Sequence, residues 1–178
     1  MKATGIVRRI DDLGRIVIPK EIRRSFHIKE GDPLEIYTST DGEIIFKKYS
    51  PIGELSEFAN QYAEVIFKNS GLPIAIMDNE HVIACAGVSK REILERRMTR
   101  TVEDLIENRK SYIKNDNNGS IDAIEGYDKK ACIIYPIIYN GDIGGAIAVL
   151  ETDPKIILKE SQIKIVQIAA AFLGKQME

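Results

Sequence analysis

The chain has 178 residues, a formal net charge of −2, a pI near 5.8 and 44% hydrophobic residues. This length allows one or two domains, and the hydrophobic content is enough for a packed core. No apolar run approaches the roughly 20 residues that cross a bilayer, and the first residues show no secretory signal. We therefore expect a cytoplasmic protein without a membrane partner.

The net charge hides an uneven distribution of charged residues. Residues 2–29 contain eight Lys or Arg and three acidic residues, a net charge of +5. Residues 51–178 contain 15 basic and 19 acidic residues, a net charge of −4. Such asymmetry indicates a basic binding region attached to a neutral-to-acidic body. The alternative is that the basic residues form an ordinary solvated surface.

Residues 5–26 predict two strands and a short helix. We predict strands over Gly5–Ile10 and Arg15–Ile18, on either side of an Asp-Asp-Leu-Gly turn in which Gly14 is free to adopt positive φ. Pro19 is placed to open a helix, because its missing N–H costs nothing in a first turn.

Five arginines are distributed through these elements: Arg8, Arg9, Arg15, Arg23 and Arg24. The neighbouring residues are mostly Ile and Val, which fix the backbone, so the guanidinium groups project from ordered structure. Their forked donors suit phosphate oxygens and guanine edges. The sequence therefore predicts a module that binds double-stranded DNA.

A second pair of strands completes the first fifty residues. Asp41-Gly42 predicts a two-residue hairpin turn between strands over Leu34–Thr38 and Glu43–Tyr49. A unit of this size cannot bury a good core alone, and its strand edges would be open to pairing. Strand exchange with a second copy solves both problems, so we expect an obligate homodimer.

At these residues the chain resembles the AbrB family of bacterial transition-state regulators, whose DNA-binding domain is a swapped-hairpin dimer. The resemblance covers Lys2–Tyr49. It implies that Arg8, Arg15, Arg23 and Arg24 contact DNA, and that Arg9 occupies a position that is also basic in the family. Ser25-Phe26-His27 departs from the family pattern: Phe26 can still fill the core side, whereas the role of His27 stays open.

Two amphipathic helices are predicted further along the chain. Residues 51–70 predict a linker helix capped at Ser50-Pro51, and residues 159–177 predict a C-terminal helix. Both carry apolar residues at coiled-coil spacing, namely Ile52, Leu55, Ala59, Tyr62 and Ile66 in the first and Ile163, Val166, Ala170, Leu173 and Met177 in the second. We expect a homotetramer that assembles through helices 52–66 and 163–177. The alternative is that both stripes cover the sheet of their own domain.

Residues 71–178 predict a mixed domain. Strands are expected over residues 72–77, 81–88, 111–114, 121–125, 131–139 and 143–150, with helices over 89–98 and 101–109. The segment Tyr135–Ala146 resembles the last hairpin of GAF domains, which are small-molecule sensors, through Pro136, Gly141 and Gly144. A small-molecule effector is therefore a possible partner.

Catalytic patterns are not apparent in the sequence. Cys85 and Cys132 lie far apart in apolar stretches, and His27 and His81 offer no ligand spacing. We expect reduced core cysteines, no metal, no cofactor and no enzymatic activity.

Taken together, these elements predict an α+β protein with an AbrB-like DNA-binding domain (1–50), a linker helix (51–70) and a GAF-like regulatory domain (71–178). This combination resembles the stage V sporulation protein T family of spore-forming bacteria, which implies a tetrameric transcription factor of the late forespore. Two alternatives stay open. Antitoxins share the swapped-hairpin head but usually end in a disordered tail, and a GAF-type redox enzyme would need cysteines on a mobile loop.

Overall fold

The computed structural model describes residues 5–26, 28–50, 52, 55–115, 117–153 and 157–178. The chain divides into two compact units, Met1–Tyr49 (unit 1) and Ser50–Glu178 (unit 2). His27, whose role the sequence leaves open, and Pro51, the predicted helix start, lie outside the described residues.

Unit 1 contains a short helix and an antiparallel hairpin. Helix α1 spans Lys20–Ser25, strand β1 spans Leu34–Thr38 and strand β2 spans Ile44–Lys48. At the turn, the Gly42 N–H donates to the Ser39 carbonyl at 3.2 Å, and Gly42 has a φ of +79°. The helix and the hairpin that the sequence predicts are confirmed. The predicted two-residue turn is wrong, because the Ser39 N–H donates to the Glu43 carbonyl at 3.0 Å and the turn therefore spans residues 40–42.

The two strands predicted within residues 5–18 are wrong for the single chain. These residues carry no strand in the structure and no ladder of backbone hydrogen bonds; one turn joins them, where the Asp11 N–H donates to the Arg15 carbonyl at 3.0 Å. The side chains of Val7 and Val17 are 89% and 73% exposed. A strand requires a hydrogen-bonded neighbour, and the other described residues of the chain do not supply one. Phe26, predicted to fill the core side, is also exposed.

Unit 2 is a five-stranded antiparallel sheet between two layers of helices. Its strands, in the spatial order β4-β3-β7-β6-β5, are β3 (Ile74–Met77), β4 (Val82–Ala86), β5 (Tyr112–Ile113), β6 (Ala131–Tyr139) and β7 (Asp142–Leu150). Its helices are α2 (Ser56–Ser70), α3 (Lys90–Ile93), α4 (Arg100–Glu107) and α5 (Glu160–Gln176). The α+β fold predicted from the sequence is confirmed.

The alternation of side chains along the strands gives unit 2 two hydrophobic cores. Ile74 and Ile76 of β3 pack in the core that includes residues of α2 and α5, whereas Ala75 and Met77 pack in the core that includes residues of α3 and α4. Apolar side chains therefore fill both faces of the sheet.

Three local predictions in unit 2 differ from the structure. Residues 121–125 form two isolated bridges, Ile121 to Ala131 and Ile124 to Met98, in place of a strand. Helix α3 ends at Ile93, because Glu95 turns the chain with a φ of +63°. Helix α4 begins one residue earlier than predicted, at Arg100.

Candidate nucleic-acid interface

The five predicted arginines all lie in unit 1 at or near its surface. Arg8 and Arg9 lie in the extended segment before the Asp11 turn, Arg15 follows that turn, and Arg23 and Arg24 belong to α1. Four of these side chains, all but Arg15, make no hydrogen bond or ion pair with the residues that the structure describes. Their donors are therefore available to an external ligand.

Arg15 differs because it is held by Asp11. The Arg15 Nε donates to Asp11 Oδ2 at 2.8 Å, and the Arg15 backbone N–H donates to Asp11 Oδ1 at 2.7 Å. The Leu13 backbone N–H donates to the same Oδ1 at 3.0 Å. These contacts, the Arg15 backbone bond first and its guanidinium second, hold the pKa of the Asp11 carboxyl below its ordinary value. The Asp11 carboxylate thus holds both the turn and the side chain of Arg15, the residue that follows the turn.

A cationic cavity of about 310 Å³ lies beside α1, lined by Lys20, Arg23, Arg24, Ile28 and Lys29. It forms because the chain folds back after the helix, where the Ile28 N–H donates to the Arg23 carbonyl at 2.7 Å. Arg23 and Arg24 are thereby brought together with two lysines. The sequence pattern did not single out Lys20 or Lys29, whose place in the cavity depends on this reversal. Four side-chain cations around one concavity suit an anionic ligand such as phosphate.

Unit 1 exposes most of its apolar side chains. Pro19 is the single residue classed as buried among those described in this unit, whereas apolar side chains are exposed along the extended segment and the hairpin: Ile6, Val7, Ile10, Leu13, Ile16, Val17, Ile36, Ile44 and Phe46. Exposed apolar surface of this extent marks an interaction site.

The predicted assembly stripes of unit 2 are largely internal. Ile52, Ala59, Val166, Ala170 and Leu173 are buried in the core that α2 and α5 form with the sheet. The prediction that these residues face another chain is therefore wrong, and the alternative, that they cover their own sheet, is confirmed. An apolar stripe with 3-4 spacing arises equally in a coiled coil and in a helix that packs on a sheet.

A neighbouring face of these two helices, which shares Tyr62 with the predicted stripe, carries aromatic rings at the surface. Phe172 of α5 lies 5.3 Å from Tyr62 and 6.2 Å from Phe58 of α2, measured between ring centroids. Phe58 and Tyr62 stack at 5.8 Å. Val65 and Ile168, on the same two helices, are more than half exposed. We call these five residues the aromatic face.

The cysteines of unit 2 belong to its interior. Cys85 and Cys132 are both free and fully buried, as predicted. Burial raises the pKa of the Cys132 thiol to about 11 and also raises the pKa of Cys85. A thiol that stays protonated at neutral pH is a poor nucleophile. No group of three residues suited to hold a metal ion occurs within the described ranges.

None of the helices that the structure describes is long and apolar enough to span a bilayer.

Two family models match the chain. The model described as "Stage V sporulation protein T C-terminal, transcription factor" matches residues 54–178. The model described as "Antidote-toxin recognition MazE, bacterial antitoxin" matches residues 7–54.

Relatives and a solved structure agree with this division. Stage V sporulation protein T of Bacillus subtilis (strain 168) is 45% identical over 180 residues, which cover 100% of this chain and 99% of the relative. The transition state regulatory protein AbrB of the same organism is 61% identical over 51 residues, 29% of this chain and 52% of AbrB.

The GAF domain of an Acinetobacter phosphoenolpyruvate-protein phosphotransferase superposes with a TM-score of 0.56 at 10% identity, covering 69% of this chain and 81% of that domain. This likeness shows the GAF fold that the hairpin at residues 135–146 predicted.

Residues 54–178 are matched by one transcription-factor family model, and the full chain aligns with a member of that family at 45% identity. The protein therefore belongs to the stage V sporulation protein T family of transcription factors.

Proposed function

We propose that this protein is a sequence-specific DNA-binding regulator that activates and represses late, forespore-stage sporulation genes. The observation that carries this proposal is the net charge of +5 over residues 2–29, with four arginines that have no partner among the described residues. Cations of this kind neutralise DNA phosphates and release counterions. Membership of a transcription-factor family supports it. The site of action is the cytoplasm, in the forespore nucleoid.

Within this proposal, Arg8, Arg15, Arg23 and Arg24 contact double-stranded DNA, and Arg9 adds to the positive surface. The cavity beside α1 offers Arg23 and Arg24 together with two lysines, which suits a phosphate of the DNA backbone.

The experiment that tests DNA binding is a footprint followed by titration of variants. Genomic fragments retained by the full-length protein are recovered, and one is footprinted to define the site. Alanine at Arg8, Arg15, Arg23 or Arg24 should leave folding intact and weaken binding to that fragment. Unchanged mobility-shift titrations for all four variants would remove the assignment of these residues.

We propose that unit 1 forms a homodimer and that this dimer contacts the DNA. Its exposed apolar side chains, Val7 and Val17 among them, line backbone that lacks a neighbouring strand among the described residues. A second copy that supplies the missing strands would bury these side chains and complete the hydrogen bonding.

We also propose a homotetramer that assembles through helices 52–66 and 163–177. The contact between dimers is then made by the aromatic face and not by the buried stripe. Phe58, Tyr62 and Phe172 form a cluster that one chain leaves partly in solvent. Aromatic residues are enriched at interfaces because they bury much area at low entropic cost. Two dimers joined in this way would place two DNA-binding dimers of unit 1 in one particle.

Unit 2 is proposed to regulate DNA binding, through a small-molecule effector, without enzymatic activity or a cofactor. The GAF fold is the observation behind the effector. A redox activity is disfavoured because Cys85 and Cys132 lie in strands, fully buried, with raised thiol pKa values. A thermal-shift screen of metabolites on the full chain tests the effector, and a screen in which no compound raises the melting temperature would leave unit 2 as an assembly scaffold.

An antitoxin is the second candidate, because the MazE model matches residues 7–54. The two candidates differ in what loss of the gene does. A cell that loses an antitoxin but keeps the toxin should stop growing vegetatively, whereas a cell that loses a forespore regulator should grow normally and fail late in sporulation. The ordered sheet of unit 2 favours the regulator, since antitoxins usually carry a disordered toxin-binding tail.

A further inference from the structure

We infer that Asp11 is a positioning residue that orients Arg15 to read a base edge and so raises the preference for specific DNA. The inference rests on the proposed DNA-binding function. Asp11 is an acidic residue within the basic segment 2–29, and it forms an ion pair with Arg15, one of the proposed contact residues.

Asp11 contacts one nitrogen of the Arg15 guanidinium and leaves the other two exposed. Its carboxylate accepts a hydrogen bond from the Nε of Arg15, and the Nη groups of Arg15 have no partner among the described residues. The Arg15 side chain is 69% exposed, so those groups face solvent. A guanidinium held at Nε presents its two Nη groups as a fork, and a fork of two donors matches the O6 and N7 acceptors of guanine in the major groove.

The two oxygens of Asp11 hold the backbone and the side chain of Arg15 at the same time. Oδ1 of Asp11 accepts the backbone N–H groups of Leu13 and Arg15, while Oδ2 holds the side chain. The backbone and the guanidinium of one arginine are therefore tied to one carboxylate. Ordering a long side chain before binding reduces the entropy that is lost in the complex. Arg8, Arg9, Arg23 and Arg24 lack such a tie among the described residues, which suits contacts to phosphate, where geometry matters less.

The negative charge of Asp11 has an electrostatic cost in DNA binding. A negative charge on a DNA-binding surface opposes the phosphates and weakens binding to every sequence. An acidic residue that acts only through its charge should therefore lower affinity for any DNA. If Asp11 positions Arg15, its loss should have opposite effects on two kinds of DNA: non-specific binding tightens and specific binding weakens.

The test compares Asp11→Asn with Asp12→Asn in the full-length protein. Both variants remove one negative charge from the same turn, but Asp12 makes no hydrogen bond or ion pair within the described residues. The probes are a duplex that the wild-type protein selects from genomic fragments and a scrambled duplex of equal length and composition, titrated at one salt concentration. Circular dichroism and thermal melting confirm that each variant is folded.

We expect both variants to bind the scrambled duplex more tightly and to equal degrees. Asp12→Asn should bind the selected duplex more tightly as well. Asp11→Asn should bind it about 2- to 12-fold more weakly, the range expected for losing the order of one long side chain. If Asp11→Asn and Asp12→Asn change the two affinities alike, the positioning role is refuted.

A second pair of variants separates positioning from a general effect on the turn. Arg15→Ala should cost roughly 5- to 150-fold in affinity for the selected duplex, the worth of one good bidentate base contact. In the Arg15→Ala background, Asp11→Asn should behave like Asp12→Asn, because no guanidinium remains to be oriented. A loss that persists in that background would assign Asp11 to turn structure alone. A wild-type protein that retains no duplex would overturn the proposed function itself, a result distinct from both.

Discussion

At the level of single residues, the proposed DNA-binding surface combines cations of two kinds. Arg15 is tied to Asp11, whereas Arg23 and Arg24 share a cavity with Lys20 and Lys29. The sequence identified the arginines because they interrupt Ile- and Val-rich segments. It could not identify the lysines or the Asp11 contact, because these depend on how the chain turns after α1 and around Gly14.

The two cavity lysines should bind phosphate without reading sequence. We expect Lys20→Ala and Lys29→Ala to weaken binding to selected and scrambled duplexes by the same factor. Each should also reduce the slope of log affinity against log salt by about one unit, because one phosphate contact is lost. Titrations at three or more salt concentrations measure this slope. A loss confined to the selected duplex would instead make these lysines base-reading residues.

Cys132 should make the stability of unit 2 sensitive to alkaline pH. Burial raises its pKa in the folded chain from an ordinary value of 9.0 to about 11. The unfolded thiol thus releases its proton first, so stability is intact below pH 9 and falls as pH rises toward 11. We expect a loss of roughly 1 kcal/mol in the free energy of unfolding between pH 9 and pH 10.

Denaturant titrations of the wild type and of Cys132→Ala measure that loss, with Cys85→Ala as a matched variant of the other buried thiol. Burial also raises the pKa values of Tyr62 and Tyr127. Both tyrosines are unchanged in all three proteins, so their contribution to the pH slope cancels when the proteins are compared. Equal pH slopes for the wild type and Cys132→Ala would contradict the assignment.

At the level of secondary structure, the sequence predicted best the elements whose partners are close along the chain. Asn140-Gly141 predicts the β6–β7 hairpin together with the register next to its turn, since Tyr139 pairs with Asp142. Asp41-Gly42 predicts the β1–β2 hairpin, but the observed register, with Thr38 opposite Ile44, corresponds to a turn of three residues and not two. The strands predicted within residues 5–18 have the same local pattern but lack a neighbouring strand among the described residues. A sequence pattern cannot reveal whether that neighbour belongs to the same chain.

For helices α2 and α5, the sequence likewise does not reveal which face is buried within the chain. Their 3-4 stripes predict an assembly surface, yet the structure buries Ala59, Val166 and Leu173 within unit 2. The neighbouring aromatic face shares Tyr62 with the predicted stripe and adds Phe58 and Phe172. Spacing alone did not distinguish the two faces, because the apolar residues of both recur at intervals of three and four. The contact with the sheet decides which of the two faces is internal.

The aromatic face should control assembly and the buried stripe should control folding. We expect Phe172→Glu to lower the mass of the full-length particle, because a carboxylate in a packed interface lacks a partner. Its melting temperature should change little at a protein concentration where the wild type is also dissociated. Phe172 is 42% exposed in the single chain, which tolerates this change.

The adjacent residue provides the matched control. Leu173 is fully buried, and Leu173→Ala should lower the free energy of unfolding by about 2–5 kcal/mol through the lost contacts and the cavity. Light scattering reports the mass, and denaturant titration reports the stability. An unchanged mass for Phe172→Glu would exclude the aromatic face as the contact between dimers.

For the whole molecule, the contrast between the two units has a consequence for synthesis on the ribosome. Unit 1 leaves the ribosome first, yet Pro19 is the one buried residue among those described there, whereas unit 2 packs two cores of its own. A nascent chain commonly folds from its N-terminal end. If unit 1 dimerises as proposed, this order is reversed. Unit 2 can then reach its native state in one polypeptide, whereas unit 1 does so only after it meets a second copy. Several ribosomes on one messenger RNA, or neighbouring messenger RNAs, would bring nascent copies close together and speed this dimerisation. The rate of translation would then help to determine how much DNA-binding dimer the cell contains.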